Sequence, residues 1–430
     1  MCSAFTRGLA VDCDCDSYSR HSVPRTIRMG TLARAFNAVN AVSVSDLRTL
    51  ARARVPKFAY DYLAGGADDE VSLRRPGFDA YEFHPMTCRG VHEVSTRTTF
   101  LGHKNVECIF GAPTAGHALW APREGETATA RACAATSSAS RVFALSTLGT
   151  RSPREISQHV PELKHKMFQV YVWNDRELMR DVLAHAKAAG FTSIALTTDL
   201  TWFGNRERDL RNGFSIPPVH SLQTTLAAAA RPRWAYDFLT SPKIEYAMIR
   251  ELRGGGASPR AIADFATDAF DATFSWKDAE WFRTQWDGPI AMKGILRPDD
   301  ARRALDTGYD AVWVTSHGAR QLDTAVSPID VLSSIRKAVG EDAQVIYDGG
   351  VMRGTDVVKA IALGADAVGV GKAYLYGLAA TGDAEGVKKC FDLLTAETHR
   401  AMGLLGVSSV RELRDFGLDL VRSRCRSTTV

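Results

Sequence analysis

The residues richest in chemistry fall in a few short stretches. His317-Gly-Ala-Arg320 sets an imidazole and a guanidinium three residues apart, and Asp199 and Arg206 share another segment. A neutral imidazole can take a proton near pH 7, a carboxylate can orient it and stabilise the imidazolium, and an arginine fork matches a carboxylate in two hydrogen bonds. Taken singly, a histidine is more often structural, and the charge run at 205–209 reads as a solvated face. Only in combination do they suggest a base beside an anion clamp. A second kind of chemistry sits in Asp-Gly-Gly-Val-Met-Arg-Gly at 348–354 and Gly-Val-Gly-Lys at 369–372. There glycines let backbone N–H groups approach an anion, and Arg353 and Lys372 add charge. No G-x-x-x-x-G-K-[ST] and no full G-x-G-x-x-G after a strand occurs, so the phosphate belongs to a cofactor or a phosphorylated substrate, not to a nucleoside triphosphate or a Rossmann dinucleotide.

These residues need a scaffold, and the chain supplies a rhythm. Runs rich in Val, Ile, Leu and Ala lie at 107–112, 141–146, 167–172, 193–198, 289–293, 311–315, 344–347 and 367–370. Between them amphipathic stretches of helical length lie at 124–138, 176–189, 276–286, 298–307, 328–339 and 354–363. Eight such strands alternating with helices predict an α/β fold, a closed (β/α)8 TIM barrel with an N-terminal helical extension. In a barrel the C-terminal strand ends share one mouth, and here they carry Pro113, Thr114, Ala115, Ser146, Gln169, Tyr171, Thr197, Asp199, Lys293, Thr315, Ser316, His317, Asp348, Gly349, Gly350, Gly371 and Lys372. Turns and caps explain one or two polar strand ends; a bound polar ligand across the mouth explains them together. Roughly 90 residues separate the fourth run from the fifth, so an insert at about 210–268 interrupts the rhythm and is read as a lid, an oligomer contact or a membrane-touching segment.

Composition narrows the class further. With 430 residues, 45% hydrophobic and 24% charged, the chain fits neither a disordered polymer nor a fibrous repeat, and a net charge of +4 does not suggest a nucleic-acid surface. Eight cysteines without CxxC pairing favour a reducing compartment, and the C-x-C at Cys13 and Cys15 gives no reason to expect a metal. No run approaches the ~20 apolar residues that cross a bilayer. Residues 1–42 hold five arginines, three aspartates and no lysine or glutamate, and read as a poorly ordered tail or a leader. Asp12, Asp14 and Asp16 speak against a mitochondrial transit peptide, which stays as the alternative to a cytoplasmic setting. The barrel domain is expected over 43–410, opening with a helix capped by Ser43 or Ser45 that runs toward Arg54, and 411–430 as a C-terminal tail. The end, Thr428-Thr-Val430, is no S-K-L signal.

Over about residues 43–405 the sequence resembles the FMN-dependent L-2-hydroxy-acid oxidase and dehydrogenase family, which includes glycolate oxidases, flavin L-lactate dehydrogenases and mandelate dehydrogenases. The resemblance rests on Tyr-Asp-Tyr-Leu-Ala-Gly-Gly-Ala-Asp-Asp-Glu at 60–70, Ala-Pro-Thr-Ala at 112–115, Phe-Gln-Val-Tyr at 168–171, Gly-Asn-Arg-Glu-Arg-Asp at 204–209, His-Gly-Ala-Arg-Gln-Leu-Asp at 317–323 and Asp-Gly-Gly at 348–350. It implies that His317 is the base, with Asp199 its partner and Tyr171 bonded to the substrate hydroxyl or incipient ketone. Tyr62, Arg206 and Arg320 would hold the carboxylate. Pro113, Thr114, Ala115, Ser146, Gln169, Thr197 and Thr315 would contact flavin or ribityl, Lys293 the flavin N1/O2 edge, and Asp348, Gly349, Gly350, Arg353, Gly371 and Lys372 the ribityl chain and phosphate. Oxidation would proceed through a Cα carbanion or through hydride transfer concerted with hydroxyl deprotonation.

The departures from the family pattern matter. The usual S-N-H-G is Thr-Ser-His-Gly at 315–318, an arginine of the phosphate motif is Met352, and the usual G-R after the eighth strand is Gly371-Lys372, a point charge without a fork. Weaker FMN binding is the expectation. Leu148 at the glycolate-oxidase tryptophan position leaves room beyond a two-carbon acid, part of which Phe203 takes back, so lactate, a longer aliphatic 2-hydroxy acid or mandelate is expected. The insert, with Arg-Trp-Ala-Tyr-Asp-Phe at 233–238, looks like the bacterial dehydrogenase branch. That implies electrons passed to a quinone or carrier protein rather than oxygen, peripheral membrane contact, and a homotetramer. A peroxide-forming oxidase, an FMN-assisted isomerase and a barrel scaffold without catalysis are the alternatives.

Overall fold

Strands buried on both faces read as unbroken apolar runs, which is why the barrel is visible residue by residue. In the computed structural model, which describes residues 38–424 apart from 76, 136–139, 215–220, 254–257, 259–260, 262–263 and 265–267, all eight runs are parallel strands of one closed barrel. They are β1 (Ile109–Gly111), β2 (Phe143–Ser146), β3 (Lys166–Tyr171), β4 (Ser193–Thr197), β5 (Ile290–Ile295), β6 (Ala311–Val314), β7 (Gln344–Asp348) and β8 (Ala367–Val370). Register aligns their ends: Ser146 pairs with Gln169, Tyr171 with Thr197, Thr197 with Lys293, and Asp348 with Gly369. The barrel interior is filled by Phe110, Ala144, Met167, Ala195, Ala291, Trp313, Ile346 and Ala367, with Phe110 and Trp313 meeting edge to face at 5.3 Å. Small alanines leave room for these two large rings in the close-packed interior. The hairpin of Arg97–Phe100 and His103–Glu107 contributes Phe100 and Val106 to the same cluster, at the strands' N-terminal end.

The predicted leading helix is Val44–Arg54, capped by Ser43 with Asp46 closing the capping box. Its last residue, Arg54, donates to the Trp120 and Ala379 carbonyls and pairs with Asp237, tying the extension to the barrel and to the insert. Described parts of the insert form helices Leu222–Ala229, Pro232–Leu239 and Ala247–Leu252. Trp234 is buried, stacks on Phe238 at 4.9 Å and donates its Nε1–H to the Leu119 carbonyl, while Leu222, Leu226, Tyr236 and Leu239 are exposed. No helix among the described residues is long and apolar enough to cross a membrane.

The reading of 411–430 as a tail is corrected for its described part. Val410–Phe416 is a helix, and Val421–Ser423 pairs antiparallel with Tyr81–Phe83. Val410, Leu413, Leu420 and Val421 are buried, and Arg414 pairs with Asp366. A three-residue strand gives no periodicity, and its partner lies more than three hundred residues away. Of the leader read at 1–42, residues 1–37, with Cys13 and Cys15, lie outside the described residues, as does the end at 425–430, while Ala38–Asn40 is a 3-10 turn and Ala41 is buried.

Candidate active site

The mouth of the barrel holds a cavity of about 670 Å³, large enough for a cofactor and a small acid together. Tyr62, Pro113, Thr114, Ala115, Tyr171, Arg206, Lys293, His317, Arg320, Asp348, Gly349, Gly350, Gly371 and Lys372 all line it.

At one end stands the base candidate. His317 Nδ1 lies 2.9 Å from Asp199 Oδ1, and Tyr171 stacks on the imidazole at 6.4 Å between centroids. His317 sits at φ +56° and Ala319 at φ +59°, backbone that non-glycine residues seldom adopt, held here by the His317 N–H bond to Thr315 Oγ1. Burial holds the imidazole below its ordinary pKa, against the pull of Asp199. Burial alone would raise Asp199, but the charges of His317 and Lys293 carry it below the usual carboxylate range. Asp199 Oδ2 is buried with no partner among the described residues, and Gly294 (φ +112°) makes room for Asp199, since a Cβ there would lie 2.8 Å from Asp199 Cβ.

Beside it lies the candidate anion clamp. Arg320 Nη1 donates to the Tyr62 carbonyl at 2.6 Å and the Gly65 carbonyl at 3.3 Å, and its guanidinium lies 4.8 Å over the Tyr62 ring. Burial and then the Arg206 charge lower it to about 10. Arg206 Nη2 reaches Gln321 Oε1 at 3.4 Å. The loops after β4 and β6 touch backbone to backbone at Gly204, where a Cβ would fall 2.3 Å from the Arg320 carbonyl oxygen. Tyr62 is braced by Trp120 and Phe214.

The candidate cofactor side is built on strand ends. Asp348 accepts from Trp313 Nε1 at 2.9 Å and from the Thr315 hydroxyl, and Lys293 Nζ lies 3.9 Å away, so one carboxylate sets the end of β6 and the Lys293 ammonium. Ser146, Gln169 and Thr197 form a buried row, Ser146 donating to Gln169 Oε1 at 2.7 Å and Gln169 Nε2 to Thr197 at 2.8 Å. These three and Thr315 are satisfied by their neighbours and do not line the cavity. Thr114 is engaged with His117 at 2.7 Å and Tyr374 at 2.5 Å, a network that braces its loop from behind.

The two phosphate-side cations are placed differently. Arg353 does not line the cavity; it is half-exposed, caps the helix Gly354–Ala362 and pairs with Glu397 at 3.1 Å. Glu397 also accepts the Gly354 N–H, so the C-terminal helix Ala384–Leu405 captures the motif's remaining arginine. Lys372 does line the cavity, but its ammonium donates to the Gly65 and Gly318 carbonyls at 2.9 and 3.2 Å. Burial, and then the nearby arginine charges, push it well below the usual lysine range.

The remaining residues fit FMN. Gly349 and Gly350 turn at φ +123° and +72°, and at Gly369 and Gly371 a Cβ would stand 3.0 Å from Phe110 and 3.4 Å from Thr114, so glycine keeps this end of the cavity open. The helix Lys372–Thr381 starts there, with N–H groups suited to a phosphate. Arg353→Ala is expected to leave the FMN dissociation constant within about threefold of the parent, because the ion pair it loses is partly exposed and worth ~1 kcal/mol or less. Fluorescence titration of the stripped protein with FMN checks this; a loss above tenfold would return Arg353 to the phosphate.

Tyr246, from the insert, also lines the cavity and is absent from the strand-end reading. Its only sequence signal is a tyrosine beyond the Pro-rich part of the insert, without a strand end to mark it.

The chain matches the family model described as FMN-dependent dehydrogenase over residues 51–419. It is 38% identical over 395 residues to an L-lactate dehydrogenase of Xanthomonas euvesicatoria pv. vesicatoria (strain 85-10), covering 90% of this chain and 98% of that one. It is 36% identical over 374 residues to a peroxisomal (S)-2-hydroxyacid oxidase of Arabidopsis thaliana, covering 86% and 94%. The crystal structure of the monotopic membrane protein (S)-mandelate dehydrogenase superposes with a TM-score of 0.82 at 34% identity, covering 90% of this chain and all of that one. With a closed barrel, a carboxylate-held histidine and an arginine clamp in one cavity, the chain belongs to the FMN-dependent 2-hydroxy-acid dehydrogenase and oxidase family of oxidoreductases.

Proposed function

We propose that this protein oxidises an L-2-hydroxy acid to the 2-oxo acid as a dehydrogenase, with His317 as base and Asp199 as its orienting partner. The observation that carries the reading is the His317–Asp199 contact of 2.9 Å in one cavity with Arg320, Arg206 and Tyr171. Arg320, Arg206 and Tyr62 hold the carboxylate, which fixes the hydroxyl-bearing carbon toward His317. Tyr171 donates to the substrate oxygen. His317 Nε2 takes a proton from the substrate, and Asp199 stabilises the imidazolium. Bound FMN supplies the acceptor for the electron pair leaving Cα, held by Lys293, Pro113, Thr114 and Ala115 and by the glycines at 349, 350 and 371. Phe203, Leu148 and Tyr246 line the cavity beside these groups.

Leu148 and the cavity volume favour lactate, longer aliphatic acids or mandelate over glycolate. The Xanthomonas and mandelate relatives, both named as dehydrogenases, support a quinone or carrier protein as acceptor. Exposed Leu222, Leu226, Tyr236 and Leu239 on the insert, and the relative described as a monotopic membrane protein, support peripheral contact with a membrane, and a cytoplasmic setting is proposed with it. A homotetramer is proposed from the family resemblance alone.

The test is the visible spectrum of the FMN-loaded protein after anaerobic addition of L-lactate or L-mandelate, followed by air. Bleaching near ~450 nm with slow recolouring in air is expected of a dehydrogenase. Recolouring within the mixing time would make it an oxidase. A protein that takes up no FMN would make it a scaffold.

A further inference from the structure

The insert brings into the cavity a group that no barrel strand supplies. Tyr246 caps the helix Ala247–Leu252, and the Ala247 N–H donates to the Gly149 carbonyl at 3.1 Å. That bond pins the insert to the turn after β2, next to Leu148. The Tyr246 ring packs against the core on one side and lines the cavity on the other. Its hydroxyl has no hydrogen-bond partner among the described residues, and its electrostatic neighbours are Tyr62, Tyr171 and Arg206. Those are the groups at the polar end of the proposed substrate, two of them on the carboxylate. Burial, with the two neighbouring phenols, pushes the Tyr246 hydroxyl up, so it stays a donor at any working pH.

We infer that Tyr246 binds substrate, donating a hydrogen bond to the carboxylate of the 2-hydroxy acid and so making the insert part of the substrate site. An unpaired donor facing a cavity of cationic and phenolic groups is matched by an anionic oxygen and by little else. The inference rests on the function proposed above. It adds a consequence of its own: the carboxylate is common to every 2-hydroxy acid, so Tyr246 acts on small and large substrates alike. Leu148, which faces the variable end, discriminates between them.

The test uses the FMN-loaded parent and Tyr246→Phe, which keeps the ring and removes only the hydroxyl. Oxalate, an unreactive dicarboxylate, is titrated against the flavin spectrum, and kcat and KM are measured with L-lactate and L-mandelate using an artificial electron acceptor. Tyr246→Phe is expected to raise the oxalate dissociation constant and both KM values by about 5- to 30-fold, with kcat within about threefold, as the loss of one hydrogen bond to a charged group predicts. An unchanged oxalate constant, or a rise confined to mandelate, would overturn the assignment and leave Tyr246 an apolar wall. Unchanged melting and FMN content in the variant exclude a folding defect, and should either shift, Tyr246→Trp, which restores bulk and a donor, is expected to recover oxalate binding at least in part; no recovery counts against the inference. If the parent itself is not bleached by either acid, the function reading falls and this inference with it; if the parent is bleached and the variant binds oxalate normally, only this inference falls.

Discussion

His317→Gln is expected to lower kcat by about two to four orders of magnitude while the protein keeps its FMN and its fold. Glutamine can still reach Asp199, so the hydrogen bond that now spans 2.9 Å is not wholly lost, but an amide cannot accept a proton at any useful pH. FMN retention follows because the loop is held by the His317 backbone N–H on Thr315 and by Thr315 on Asp348, neither of which the substitution touches. The same series has a pH signature. The base works only when unprotonated, and burial keeps the His317 imidazole below its ordinary pKa. Activity of the parent is therefore lost as pH falls through that lowered value, and lowering the pKa leaves more of the base unprotonated near neutral pH than a free imidazole would be. Stopped-flow reduction of the bound flavin at several pH values measures both effects. Near-normal reduction by His317→Gln would place the base elsewhere.

Arg320→Lys is expected to cut kcat/KM by about 10- to 150-fold, mainly through KM, which is the range for losing one charge-assisted hydrogen bond. The fork now bonds the Tyr62 carbonyl at 2.6 Å and covers the Tyr62 ring, so a lysine loses geometry as well as donors. Electrostatics add a second loss. This environment already lowers Arg320 to about 10, and Lys372 beside it is pushed well below the lysine range. A lysine at 320 starts about two units lower than arginine and would be driven toward its neutral form. The variant should thus gain a descending limb of kcat/KM as pH rises, absent in the parent. Steady-state kinetics across pH with L-lactate tests it; parental KM and profile would mean the carboxylate sits elsewhere.

Much of this was legible before the structure. The eight barrel strands show because each is buried on both faces, and polar groups at their ends stand out against such runs, which is how His317, Asp199, Lys293 and Asp348 come together on paper. The illegible parts depend on distant partners. Arg353 reads as a phosphate ligand until Glu397, on a helix forty residues on, takes it. Lys372 does line the cavity, but the two loop carbonyls to which its ammonium donates are not visible in the sequence. Tyr246 carries no periodic label, and its place follows only from the Ala247 bond to Gly149. The strand Val421–Ser423 is too short to register before its partner Tyr81–Phe83 is known.

The contact at Gly204 has a consequence for how this barrel can diverge. Because the loops after β4 and β6 lie backbone on backbone there, with under 3 Å between a hypothetical Cβ and the Arg320 and Gln321 carbonyls, neither can lengthen or change course without displacing the other. The two loops are bound to descend as one inherited module. Changes of substrate preference among descendants of this chain, or in laboratory recombination of it with relatives, would have to come from the turn carrying Leu148, which can change without breaking that module.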